Sequence, residues 1–198
     1  MKVLDVGCGW NKTPGAVGMD VLAESSADVV ADLNERWPFD DQVFDEVIAN
    51  HVMEHVPDVV HVMEEAWRVL RTGGRMIIRG PHFSSADLVW SDPTHRRGLS
   101  IAMFLHFQPQ TAHPYGKCAF VIRRAELRLG GASDVSSRHW WRRATVPLLR
   151  ALQGWMNASR AQQSRTERMW SRLVPCAEVE VELEALRGPP PVPSLRRA

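Results

Sequence analysis

The chain opens on a strand that runs straight into glycines: Val3-Leu4-Asp5-Val6-Gly7-Cys8-Gly9. Two glycines one residue apart let the backbone turn sharply at the carboxyl end of a strand. In an open α/β sheet that end is where ligands bind. Further strand-like runs follow at Ala16–Asp20, Asp28–Ala31, Phe44–Ala49 and Arg75–Arg79. Between the last two, residues 58–71 place Val59, Val62, Met63, Ala66, Val69 and Leu70 at helical spacing, with Thr72-Gly73-Gly74 as the expected stop. Residues 118–128 and Ala177–Leu186 add two more strands. The expected fold is α/β: a doubly wound, Rossmann-like, mostly parallel seven-strand sheet with helices on both faces.

A chain of 198 residues is enough for one core, and residues 1–187 read as one domain. Residues 81–116, rich in His, Pro, Ser and Asp with a helical stretch from Ser100 to Phe107, are too long for a simple connection and read as an insertion over the site. Residues 138–173 hold a second such insertion, whose part from 145 to 173 is basic, Trp-bearing and helical. The Pro-rich tail 188–198 is expected to be disordered.

Charge is unevenly spread. Residues 1–70 carry fourteen Asp/Glu against four Lys/Arg, a net −10 that leaves +11 for the rest of the chain. Such a basic half can attract an anionic substrate, a nucleic acid or a membrane surface, or simply solvate helical faces. His139-Trp140-Trp141-Arg142-Arg143 and the nearby Trp155 and Trp170 allow base stacking, core packing, an aromatic wall for a small ligand or a homodimer face. The expectation is a small-molecule partner, no nucleic acid and no membrane. No apolar run reaches the roughly 18–20 residues of a membrane span, and Asp5 interrupts any leader-like stretch, so a cytoplasmic protein is expected. Cys8, Cys118 and Cys176 are three, scattered and unpaired in number, which fits neither a disulfide framework nor a zinc site. No metal is expected.

The glycine turn itself narrows the ligand. A dinucleotide fold uses G-x-G-x-x-G, but the third glycine position here is Lys12, and Asp5 precedes the pair. A cationic amine or sulfonium suits that Asp better than a pyrophosphate does. Asp5-x-Gly7-x-Gly9 resembles the first motif of class I S-adenosylmethionine-dependent methyltransferases, of the small, type 11-like bacterial kind. Gly18-Met19-Asp20 resembles the second-strand end whose acid takes the ribose hydroxyls, and Asp32-Leu33 with Trp37-Pro38-Phe39 resembles the adenine-binding segment. Phe44 to Val56 is similar to the fourth strand and its loop, and Leu70 to Arg75 to the turn before the fifth strand. The resemblance implies S-adenosylmethionine as cofactor, held by Asp5, Gly7, Cys8, Gly9, Asp20, Val21, Asp32, Leu33, Asn50 and His51. Within that set, Cys8 also reads as a small packed residue, and Asn50 either meets the methionine moiety or caps the following helix.

Methyl transfer from a sulfonium needs alignment, exclusion of water and, for some acceptors, a base. Candidate groups are His51, His82, Asp87, Asp92, His95, Arg96 and Arg97. His95 is the expected base, with Asp92 three residues earlier to orient it; His82, at the end of the fifth strand and expected to face the mouth of the site, is the alternative. His55 reads as a helix residue with a packing role. The acceptor implied is a small organic molecule, methylated on oxygen or nitrogen, with the two insertions on the acceptor side. Rival readings are a cofactor-binding protein that performs a different reaction, a nicotinamide oxidoreductase, and a nucleic-acid or protein methyltransferase.

Overall fold

The computed structural model describes residues 1–109, 117–130 and 140–187, without the side chains of 140–145. The expected tail 188–198, residues 110–116, and the His139 to Arg143 cluster as a side-chain feature lie outside that description. Seven strands form one sheet: β1 (Val3–Val6), β2 (Val17–Asp20), β3 (Val29–Val30), β4 (Phe44–Asn50), β5 (Leu70–Pro81), β6 (Phe120–Arg128) and β7 (Glu178–Ala185). Their order is β3-β2-β1-β4-β5-β7-β6, with β7 antiparallel to both neighbours and the other pairs parallel. This is the expected mostly parallel Rossmann-like sheet. The helices are α1 (Val59–Val69), α2 (Ala86–Trp90), α3 (Ile101–Phe104), α4 (Trp140–Met156) and α5 (Arg160–Arg165).

Register explains the core. Leu4, Val47, Met76 and Leu183 form one row across β1, β4, β5 and β7, and Val6, Ala49, Ile78 and Val181 form the next. All eight are buried. Because side chains alternate along a strand, both rows share a face. Helix α1 adds Val62, Met63, Ala66 and Val69 to the same core cluster. Removing these side chains from water supplies roughly 25 cal/mol per Å² of apolar surface.

The opposite face departs from expectation. No helix stands between β1 and β2, β2 and β3, or β3 and β4. The chain instead doubles back over the sheet: Asp5 accepts the Thr13 N–H at 2.7 Å, and Asp28 holds both Lys12 Nζ and the Gly18 N–H at 2.8 Å. Over β4, β5 and β7 this face carries ion pairs, among them Arg75 to Glu46 at 2.8 Å and Arg79 to Glu178 at 2.5 Å. Helices were expected on both faces; over the first four strands this second face lacks them, while α1 covers the first.

Two further boundaries differ. Helix α1 stops at Val69 rather than at the glycines, because Leu70 already turns extended. Residues 71–74 then form a bulge inside β5, between the pairs Phe44–Leu70 and Glu46–Arg75. Beyond β6, α4 shields the sheet's outer strand: Gln153 and Asn157 accept the free N–H groups of Leu129 and Leu127 at 3.0 and 2.8 Å. An uncovered edge strand would otherwise invite pairing with another chain.

Candidate functional site: a cleft at the carboxyl ends of the strands

A cleft of about 500 Å³ opens where β1, β2 and β4 end, within the range of about 300–1,000 Å³ usual for small-molecule sites. Gly7, Asp20, Val21, Asp32, Leu33 and His51 line it, as do Leu22, Asn34, Val52, His55, Val56 and Thr94. The first six were expected from sequence; the second six were not. Asp5, Cys8, Gly9 and Asn50 are not among the lining residues.

Asp20 anchors one wall. Its Oδ2 accepts the Gly9 N–H at 2.8 Å and its Oδ1 the Leu22 N–H at 2.9 Å. One lone pair on each oxygen remains, so the carboxylate can still accept two hydroxyl donors. Gly9 therefore contributes an amide that fixes Asp20. Gly7 has a φ of +62°, and a Cβ there would collide with Val52 Cγ2, so glycine is required for the turn and for the close approach of the next loop. Asp5 is buried under the turn, braced on Thr13, and takes no place in the wall. Cys8 packs beside Gly18, and burial first, then the nearby carboxylates of Asp5 and Asp20, push its thiol pKa up. That is the behaviour of a packed side chain, not a nucleophile.

The Asp32 segment closes a second wall. Asp32 Oδ1 accepts both the Asn34 N–H (2.8 Å) and the Asn34 Nδ2–H (2.6 Å), a tight local turn that presents Leu33 and Asn34 to the cleft. Leu33 is held from behind, because its carbonyl accepts the indole N–H of Trp37 at 3.2 Å.

The third wall carries the ionisable groups. His51, at the end of β4, has a φ of +54°, an uncommon conformation for a residue with a side chain. Its Nε2 lies 3.0 Å from Glu178 and its Nδ1 3.3 Å from Glu54. These two carboxylates, Glu178 foremost, raise its pKa to about 9, and the contact with His51 helps hold Glu178 down at about 2. His51 is therefore a cation at neutral pH. Behind it, His55 and His95 meet edge to face with ring centroids 4.5 Å apart. His55 was expected on a helix; it lies instead in the turn before α1 and faces the cleft.

Asp92 orients His55 rather than His95. Thr94 Oγ1 donates to Asp92 Oδ1 at 2.6 Å, so its oxygen accepts from His55 Nδ1 at 2.9 Å. His95 Nδ1 donates to the Val89 carbonyl at 3.1 Å, and its Nε2 is 4.0 Å from Asp92. In both rings the Nδ1 proton is committed, which leaves Nε2 of the neutral imidazole as an acceptor. His82 does not reach the mouth of the site. Its ring is fully buried, with Nδ1 accepting the Ser84 N–H at 3.2 Å and Nε2 facing Glu167 at 3.4 Å. Of the remaining candidates, Asp87 is exposed on α2, Arg97 Nη2 donates to the Pro57 carbonyl and the Arg96 N–H to the Glu54 carbonyl.

Residues 4–78, which supply every lining residue of the cleft except Thr94, match the family model described as a methyltransferase domain. Over these residues the chain is similar to class I S-adenosylmethionine-dependent methyltransferases. It is 37% identical to the methyltransferase GfsG of Streptomyces halstedii, with 39% of this chain and 36% of that protein covered. It is 28% identical to the 27-O-demethylrifamycin SV methyltransferase of Amycolatopsis mediterranei, over 72% of this chain and 60% of that protein. The chain thus spans between about a third and three fifths of the length of these curated relatives. The crystal structure of YcgJ from Bacillus subtilis shares this fold, at a TM-score of 0.54 and 18% identity over 94% of this chain and 92% of that one. The family cofactor is S-adenosylmethionine, and the cleft suits it: a carboxylate with two free lone pairs stands beside a glycine turn, and Leu22, Leu33, Val52 and Val56 give the lining its apolar part.

Proposed function

We propose that this protein transfers a methyl group from S-adenosylmethionine to an oxygen or nitrogen of a small organic acceptor. The observation that carries this reading is the partition of one cleft. Asp20, Asp32 and Leu33 stand at the ends of β2 and β3 on one side, and His51 and His55, with His95 behind them, follow β4 on the other. In this reading Asp20 takes the ribose hydroxyls, and the Asp32–Asn34 turn takes the adenine. Gly7 allows the methionine moiety to lie against the backbone, and Asn50 and Cys8 support that loop from outside the wall.

When bound, the cofactor supplies an activated methyl group. The chain's own task is to align the acceptor, exclude water and hold or remove a proton. The acceptor nitrogens at Nε2 of His55 and His95 stand on the side where that proton would be released. A second cavity of about 420 Å³, which shares Glu178 with the His51 pair, is lined by Leu88 from the first insertion and by Arg150 and Gln153 from the second. This supports an acceptor side built by both insertions. The names of both curated relatives describe methyltransferases, and one names a 27-O-demethylated small molecule, which supports a small acceptor and an oxygen.

The test of transfer is direct. Purified protein with methyl-labelled S-adenosylmethionine and a panel of hydroxyl- and amine-bearing small molecules should yield S-adenosylhomocysteine and one labelled product by mass spectrometry. Tight binding of the cofactor product without transfer to any acceptor would favour a different reaction on the same cofactor. The cofactor assignment has its own test. Asp20→Ala should weaken S-adenosylhomocysteine binding by about 2–3 kcal/mol, the scale of a lost hydrogen bond to a charged group, with an unchanged circular dichroism spectrum. Unaltered affinity by calorimetry would remove Asp20 from the ribose site.

A further inference from the structure

Glu54 is only half explained by its pairing with His51. Its side chain is fully buried, and neither carboxylate oxygen has a hydrogen-bond partner. His51 Nδ1 stands 3.3 Å from Oε1, a charged neighbour for one oxygen only. Oε2 points toward Gly80, where a Cβ would come within 3.0 Å of it. Leaving a buried carboxylate this way costs several kcal/mol, a cost that a second cation at its free oxygen would offset.

The groups that surround it are metal ligands. One ligand atom each from Glu54, His55 and His95 lie within 4.8 Å of one another. Both imidazoles are already set for coordination, because their Nδ1 protons go to Thr94 Oγ1 and to the Val89 carbonyl. Ligating histidines characteristically donate their second nitrogen in this way, which fixes the tautomer and the ring. The Asp92–Thr94–His55 chain has the form of such an outer shell. The Arg96 N–H bond to the Glu54 carbonyl at 2.8 Å straps the His95 loop onto the turn that carries Glu54 and His55. The three ligands therefore stand on two segments locked together.

We propose that Glu54, His55 and His95 bind a divalent transition-metal ion at the acceptor end of the cleft. Two imidazoles and one carboxylate suit zinc and its neighbours, whereas magnesium and calcium prefer oxygen-only sets. Ligand distances of about 2.0–2.2 Å require the three atoms to draw together by roughly an ångström. Three protein ligands leave at least one position open, as in catalytic rather than structural zinc sites. His55 and Thr94 line the cleft, so that position faces the acceptor. A cation there would attract an oxygen donor and lower the pKa of a hydroxyl bound to it, which selects alcohol, phenol or enol acceptors. This role rests on the methyl-transfer reading above; the ion site itself does not.

Calorimetry on the chelator-stripped full chain tests it. Zinc alone should bind at one site, with magnesium silent at millimolar concentration. Glu54→Gln and His95→Ala should each weaken zinc by more than about 100-fold, since even outer-shell changes cost 10–100-fold. His61→Ala, a surface histidine bonded to the Glu35 carbonyl, should not alter it. Cobalt in place of zinc should give the visible absorption of a nitrogen and oxygen ligand set, lost in His95→Ala even if Glu54→Gln fails to fold. No zinc binding, or equal binding in both variants, would overturn the site and leave Glu54 as a counter-charge for His51. S-adenosylhomocysteine affinity, measured on the same stripped protein, reports the methyltransferase reading separately. Its loss with zinc binding intact would overturn the function and spare the metal.

Discussion

Turnover of a His95→Ala variant is expected to fall about 10²–10⁴-fold while S-adenosylhomocysteine binds as in the wild type. The two halves of this result come from the position of the ring. His95 is not part of the cofactor wall, so the ribose, adenine and methionine contacts proposed above do not involve it. It packs edge-on against His55, which does line the cleft, and the Val89 carbonyl fixes its Nδ1 proton. Alanine removes an acceptor nitrogen from the side where the acceptor proton must leave. Initial rates at saturating acceptor, paired with calorimetry, check both halves. Two causes of the loss separate cleanly. If His95 acts as a base, the variant loses the acidic limb of the pH–rate profile, and metal content does not matter. If it is a metal ligand, residual turnover tracks bound zinc. Near-wild-type turnover would remove His95 from both roles and leave transfer to proximity alone.

Much of the frame was legible because it depends on local pattern. Val3 to Val6 and Val17 to Asp20 are strands because alternating apolar side chains need one buried face, and the glycines after Val6 mark the ligand end. The absence of helices between the first four strands was not legible. Strand alternation implies a crossover, but not that a loop clasped by Lys12–Asp28 and Asp5–Thr13 can replace a helix. Those clasps also explain why Asp5, which looks like a ligand in the motif, is spent on its own turn.

The same limit governs the histidines. Strand-end position predicted His82 at the mouth, but its side-chain direction is set by Glu167, 85 residues later, which also caps the N–H groups of Ile101 and Ala102. His55 was read as a helix residue, yet α1 begins only after its Asp58 cap, which accepts the His61 N–H at 3.0 Å. A sharper weight on Asp58 as an N-cap would have left His55 in the loop at the end of β4, where ligands bind. The contact between His55 and Thr94 joins segments 39 residues apart and has no sequence signal.

Trp37→Ala should be the most destabilising single change near the cleft, at about 3–5 kcal/mol. The indole is 1% exposed and among the largest fully buried side chains, so alanine leaves a cavity the surrounding core cannot fill. The loss does not end with packing. Its Nε1–H holds the Leu33 carbonyl, and its backbone is fixed by two charged groups: the N–H donates to Glu65 Oε2 at 2.8 Å, and the carbonyl accepts Arg68 Nη2 at 3.0 Å. Burial alone would raise the Glu65 carboxyl, but Arg68 and the Trp37 N–H overcome it and hold it below the usual range. The segment from Asp32 to Phe39 is thereby clamped onto α1, and Leu33 and Asn34 are carried into the cleft by that clamp. For a domain of this size the midpoint of thermal unfolding should drop on the order of 10 °C. S-adenosylhomocysteine should recover part of that drop, but less than it adds to the wild type, because the wall it would rest on has lost its support. Trp155→Ala, at a half-exposed indole paired with Trp170, is the control and should shift the midpoint far less. Equal shifts in the two variants would mean that Trp37 is not the strut between the core and the cofactor wall.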